Sequence, residues 1–332
     1  MSSNTTQQPR IQEDAAQQLQ VTPGEIESVT LPPAVKELTD QYTARMGERD
    51  DYLWKWTYSA TLITQLPSAY GSYTPELRKA KTLLVLYITI LDDLAEQYGD
   101  KETFDECRKI PFPHTSPTLP DDDIDADRIE YARETWDAIV DQLEAAPRYE
   151  EYVDLFRYDL RQAINAMHYT WLTNENPGVV NMTGTKNYDT HNMCIFLLAD
   201  IDLMHSPGFD RLDLSTLRET LWETQYLARI GNWVTTWERE VHEGDYSSAV
   251  VAKAIVDGVV TLDELESDDV SDETVVSKIK DAGIEERISG EWESRYRGLL
   301  EREYDTRSID IRAYVKSMKT LFEFHRASRG KK

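Results

Sequence analysis

The chain has 332 residues, with 61 Asp and Glu against 36 Lys and Arg, a net charge of −25. Such a charge argues against a nucleic-acid or anionic-membrane partner, because phosphate binding needs a basic face. The 40% apolar share, with 8 Trp, 18 Tyr and 7 Phe, can fill a large core and argues against wholesale disorder.

Residues 1–30 are rich in Gln, Ser and Thr and poor in aromatics, and they read as a disordered N-terminal tail. They contain no apolar stretch of the kind a signal peptide needs. Residues 31–332 read as one α-helical domain. Helical periodicity covers 35–46, 52–65, 75–98, 128–146, 152–172, 187–204, 214–243, 247–257, 274–302 and 309–328. Thr74-Pro75-Glu76 reads as an N-cap followed by Pro at the first helical position, and Asp213 and Asp272 read as N-caps. Breaks fall at Gly99-Asp100, Pro111–Pro120, Asn174–Gly178, Ser206–Gly208 and Gly244-Asp245. No βαβ alternation, no GxGxxG after a strand and no long repeat is present. The expected fold is therefore all-α, a single bundle of about ten to twelve helices.

The longest apolar run, Leu83–Leu91 with Thr89 inside it, is far short of the roughly 20 residues that span a bilayer. Two cysteines, Cys107 and Cys194, form neither a disulfide framework nor a zinc ribbon, and a reduced cytoplasm fits them. Acidic residues are spread along the whole chain, and 14 Lys are outnumbered by 22 Arg. A dispersed acidic surface with few Lys resembles adaptation to high salt, where ions screen self-repulsion.

Two segments carry the chemistry. The apolar run, which marks a helix at the centre of a bundle, leads directly into Asp92-Asp93-Leu94-Ala95-Glu96. On a continuing helix Asp92 and Glu96 share one face. Carboxylates ending a core helix are costly unless they are solvated or bind a cation. The same acidic pattern recurs at Asp121–Asp125 and Asp268–Asp272, but among Pro, Ser and other acids, and there it reads as solvated loop charge. In the segment from Arg229 to Asp245, Asn232, Thr236 and Glu240 recur every four residues, so an amide, a hydroxyl and a carboxylate share one helix face. That set suits a hard cation such as Mg²⁺. The alternative is a polar helix face with Glu–Arg pairs.

Together these segments resemble the class I terpene synthase family, of the bacterial or archaeal type. The first resembles its aspartate-rich motif and the second its Asn-Ser/Thr-Glu motif, including the Glu243-Gly244-Asp245 stretch. Order, separation and chain length agree over roughly residues 35–330. The resemblance implies a helical barrel around an apolar pocket, with the two motifs facing each other across its mouth. Asp92 and Glu96 would hold two Mg²⁺, supported by Asp93, and Asn232, Thr236 and Glu240 would hold the third. Trp233 stands where the family commonly has Asp, at a position that is not a ligand.

The family's diphosphate-sensing Arg falls by spacing on Lys186, with Asp189 and Thr190 at the linker and effector positions. Arg239 and Arg329 are the other candidate diphosphate contacts, and Lys331 could substitute for Arg329. Trp54, Trp56, Tyr87, Phe196, Trp237 and Phe322 are candidate pocket-lining residues that could stabilise a carbocation. The implied reaction is ionisation of a linear prenyl diphosphate, farnesyl or geranylgeranyl, then cyclisation with release of diphosphate. The implied partners are that substrate and, optionally, a second copy of the chain. A chain-elongating prenyl diphosphate synthase and a non-catalytic acidic helical binding protein are the rival readings. The six His show no HExxH spacing, and no P-loop or GxSxG elbow occurs.

Overall fold

In the computed structural model of the chain, the described residues are 26–47, 49–69, 71–112, 124–267 and 269–331. Residues 1–25 of the expected tail, together with Asp121–Asp123 and Asp268 of the two acidic loops, lie outside them. Ile26, inside the expected tail, is fully buried in the core.

Among the described residues the ordered structure is helical, without strands. The α-helices are α1 (Pro33–Arg45), α2 (Asp51–Ile63), α3 (Thr74–Glu96), α4 (Lys101–Cys107), α5 (Ala126–Glu144), α6 (Tyr149–Glu175) and α7 (Met182–Asn187). They continue as α8 (Ile195–Met204), α9 (Leu214–His242), α10 (Ala249–Val256), α11 (Leu262–Leu265), α12 (Asp272–Asp281), α13 (Ile284–Glu301) and α14 (Ile311–Ala327).

Local chemistry accounts for many of the ends. Asp50, Asp125, Ser248 and Asp310 each accept a backbone N–H in the first turn of the helix they precede. Each such cap is worth about 1 kcal/mol. Two expected caps are placed differently, and Asp213 stands at the N-cap of α9 without making a cap bond. Thr74 is the first residue of α3 rather than its cap, and Ser271 caps α12 in place of Asp272. Asp213 instead accepts from the backbone N–H groups of Arg307 and Ser308, tying the start of α9 to the loop before α14.

Two expected helices are broken. The 187–204 pattern resolves into the end of α7, a 3-10 turn at Asp189–Met193, and α8. Cys194 between them takes φ 55°, an uncommon conformation for a residue with a side chain. The 274–302 pattern splits at Gly283, which takes φ 64°. Hydrophobic period alone does not register a single left-handed residue. The short helices α4 and α11 are absent from the sequence expectation.

Helix α3 is buried nearly all round, with Leu83, Leu84, Leu86, Tyr87, Ile90 and Leu91 fully inaccessible. Each such side chain contributes roughly 1.5–3 kcal/mol of burial. Every residue of α8 is buried as well. Packing closes a ring from α3 through α2, α14, α9 and α8 back to α3, with α5, α6 and α13 packed outside it. Gly231 lets α9 and α14 approach closely, since a Cβ there would meet Phe322 and His325 at 3.3 and 3.2 Å. The C-terminal end of α3 and the C-terminal half of α9 therefore open on the same mouth of the ring.

Candidate functional site

That mouth holds a cavity of about 370 Å³. Helix α3 contributes Thr89, Asp92, Asp93 and Glu96, which recur at three- and four-residue steps on its inner face. Helix α9 contributes Arg229, Asn232, Thr236, Arg239 and Glu240, followed by Glu243 and Asp245 from the turn after it. Arg49 and Leu53 close one side and Asn192, from the 3-10 turn, the other. Gly244, at φ 75°, folds the chain back so that the Asp245 N–H donates to the Glu240 carbonyl at 2.8 Å. Asp245 thereby becomes a wall of the same cavity as Glu240.

Both sequence segments thus meet at one cavity, and each member has a distinct environment. Asp93 is buried and held by the Tyr42 hydroxyl and the Arg49 guanidinium, whose Nε lies 3.0 Å away. Asp92 accepts from Asn192 Nδ2 at 3.1 Å. Thr236 donates its hydroxyl to the Asn232 backbone carbonyl at 2.9 Å, leaving the oxygen's lone pairs to the cavity. Glu240 is 7% exposed, and its Oε2 has no hydrogen-bond partner. Asp245 is buried and accepts from the Ser247 N–H at 2.9 Å.

Six acidic side chains and three arginines line the cavity. Arg49 is committed to Asp93 and Arg239 to Glu243. Asp92, Glu96, Glu240 and Asp245 are left facing Arg229, which itself grips Asp189. The excess negative charge appears in the titration. Burial, then the adjacent Asp93 charge, pushes Asp92 up to about 6. Burial, then Asp245, pushes Glu240 up to about 7. Burial and the Asp92 charge hold Glu96 well above the usual carboxylate range, and burial raises Asp245.

Acids that outnumber their cations, with a buried Glu240 oxygen left unpartnered, are the donor set that a hard cation satisfies. Among the described residues, no three or more His, Cys, Asp and Glu are gathered tightly enough to hold a metal alone. The acids instead stand on separate walls, and the α9 set includes an amide and a hydroxyl. That arrangement fits Mg²⁺, which takes one or two carboxylates and completes its shell from phosphate and water.

Other expected site residues lie elsewhere. Lys186, on α7, is exposed, with Nζ 5.0 Å over the Tyr226 ring, and does not line the cavity. Arg329 pairs with Glu238 and Glu285 outside the cavity. Lys331 also lies outside it, above the Tyr52 ring. Asp189 and Thr190 are buried behind the wall, where Asp189 accepts two bonds from Arg229 and Thr190 donates to the Lys186 carbonyl.

None of the six candidate aromatics lines this cavity. Trp54 packs edge-on to Tyr42, and Trp56 stacks on Phe324. Tyr87 donates to the Cys107 carbonyl, and Phe196 packs against Trp222. Trp237 donates to Glu285, and Phe322 stacks on Trp292. These rings satisfy helix–helix contacts instead.

Sequence reading assigned no role to Arg229, Asn192 or Arg49. For Arg229 a signal exists, because it stands three residues before Asn232 on the same face. For Asn192, on the 3-10 turn, and Arg49, in the segment before α2, there is none.

No family model and no curated protein matches the sequence. In structure the chain is similar to linalool/nerolidol synthase from Streptomyces clavuligerus, in complex with 2-fluorogeranyl diphosphate. It matches at a TM-score of 0.50 with 10% identity, over 96% of this chain and 97% of its own. The fold is accordingly the all-α, single-domain fold of class I terpene synthases.

Proposed function

We propose that the chain is a class I terpene synthase, with residues 31–332 as its catalytic domain, acting on a linear prenyl diphosphate. The observation that carries this reading is the pairing of Asp92 and Glu96 with Asn232, Thr236 and Glu240 around one mouth whose acids exceed its cations. The shared fold with a synthase solved with a prenyl diphosphate analogue supports it.

In this reading Asp92 and Glu96 hold Mg²⁺ from α3, and Asn232, Thr236 and Glu240 hold it from α9. Mg²⁺ held there would supply positive charge to stabilise a departing diphosphate. Asp93 is a support, because Tyr42 and Arg49 occupy its oxygens and fix the end of α3. Asn192 orients the Asp92 carboxylate. Arg239 stands at the rim, 42% exposed, where turning away from Glu243 would bring it to the diphosphate. Leu53 is the apolar side chain of the wall, and in this reading the prenyl chain would pass beside it.

The test is incubation of the full chain with Mg²⁺ and geranyl, farnesyl or geranylgeranyl diphosphate, at low and high salt. Extracts go to gas chromatography–mass spectrometry, and diphosphate release is followed in parallel. A cyclic or hydrolysed terpene that disappears with EDTA and in Asn232→Ala supports the reading. A longer linear diphosphate, formed when isopentenyl diphosphate is added, would replace it with chain elongation. A folded chain that releases no diphosphate at any salt would sink it.

A further inference from the structure

The three cations expected to bind diphosphate are poorly placed as a group. Lys186 and Arg329 are outside the cavity, and Arg239 is at its rim. Arg229 is inside, 6% exposed, and the charges of Asp92, Glu96, Glu240 and Asp245 all act on it or are acted on by it.

Its guanidinium is rigidly mounted. Nε and Nη2 donate to Asp189 at 2.7 and 2.8 Å, and Nη1 donates to Asn232 Oδ1 at 2.6 Å. Trp233 Nε1 donates to the same Asp189 carboxylate at 3.0 Å and locks it in turn. These bonds engage three of the five N–H groups a guanidinium carries, so one on Nη1 and one on Nη2 remain for a ligand. A planar fork held by a buried carboxylate loses little freedom on binding and matches phosphate oxygens bidentately. Lys186 offers only a flexible point charge, spent over an aromatic face.

We infer that Arg229 is the diphosphate-binding arginine of this chain, supplied by the helix of the second motif in place of Lys186. This rests on the proposed prenyl diphosphate reading. It also assigns a task to Asp189 and Trp233, which hold the plane of the guanidinium, and it makes Asn232 a shared contact. Before ligands enter, Arg229 partly offsets the four carboxylates. Cations bound to those carboxylates would free its charge for an anion, so metal and diphosphate should bind with positive cooperativity.

The experiment is calorimetric titration of inorganic pyrophosphate into the full chain with Mg²⁺ present, with thermal melts confirming the fold of each variant. Arg229→Lys keeps the charge and loses the fork, and is expected to weaken pyrophosphate at least about tenfold. Because Arg229→Gln alone strands Asp189, the second variant is Arg229→Gln with Asp189→Asn, a neutral amide pair expected to fold and to weaken binding further. Lys186→Gln should bind within about twofold of the parent, in keeping with an exposed charge outside the site.

Parent-like binding in both Arg229 variants would overturn the inference while leaving the synthase reading intact. So would a tenfold loss in Lys186→Gln. A parent chain that binds no pyrophosphate with Mg²⁺ at any salt would remove both.

Discussion

Helix α3 carries buried charge at both of its ends, and the two ends are treated in opposite ways. Near its start, Lys81 and Asp202 form an ion pair with no exposure of either side chain. Lys81 Nζ lies 2.7 Å from Asp202 Oδ1 and donates to Oδ2 at 2.8 Å, and the Leu66 N–H donates to that same Oδ2 at 2.8 Å. About 16 Å further along the helix, at 1.5 Å per residue, the mouth gathers four acids around one arginine. One end pairs its acid with a cation one to one, although Asp202 Oδ1 has only the ion pair and burial still pushes that carboxyl up to about 6; the other end sets four acids against one arginine. In the proposed reading the one-to-one pair holds the fold and the excess acids of the mouth are the ones that meet a ligand, since acids without a matching cation are costly to keep out of water.

The largest effect should come from breaking the paired end. Lys81→Met leaves Asp202 buried and unpaired, and should cost about 3–5 kcal/mol by denaturant unfolding. The double variant Lys81→Met with Asp202→Leu should recover most of that loss, because a well-packed apolar pair replaces an ion pair at little cost. A single variant as stable as the parent would put Asp202 among the ligand-awaiting acids.

At the mouth the expected signs reverse. Glu240→Gln should lower turnover about 100-fold or more, as loss of a ligand to the cation that would stabilise the developing charge does. The same change removes a repelling buried charge, so the melting temperature without metal should hold or rise. Added Mg²⁺ should raise the melting temperature of the parent more than that of the variant, since ligands stabilise only the state that binds them. A lower melting temperature in Glu240→Gln would mean that the mouth, too, is structural.

Asp200 on α8 is an intermediate case. It is fully buried, 3.8 Å from Arg218, but Arg218 is engaged bidentately by Asp159. Burial, then the adjacent Asp159 charge, holds its carboxyl well above the usual range. A folded-state value above the unfolded one contributes stability that is present at low pH. That stability is lost as pH rises from the ordinary carboxylate range near 4 toward the raised folded value. Asp200→Asn does not titrate, so its melting temperature relative to the parent should climb steadily between pH 5 and pH 8. A difference that stays constant with pH would show Asp200 ionised throughout.

Local sequence was enough for most of the helices and for both acidic and oxygen-rich segments. Leu83–Leu91 is apolar on every face and could lie only at a bundle centre, and the four-residue step from Asn232 to Glu240 is a property of any α-helix. Composition likewise left no room for a basic ligand-binding face. What the chain places opposite those segments was settled by packing. Cys194 in a left-handed conformation breaks the helix expected at 187–204 and turns Asn192 toward Asp92 and Asp189 toward Arg229. Lys186, on α7 before the break, lies outside the cavity. The aromatic side chains were equally undecided, since a large ring fills a gap between helices as readily as it lines a cavity, and only the neighbours reveal which. Periodicity specifies the face a residue occupies on its own helix. Which face lies across from it is a matter of nonlocal contacts and of single backbone turns, and neither leaves a local pattern to read.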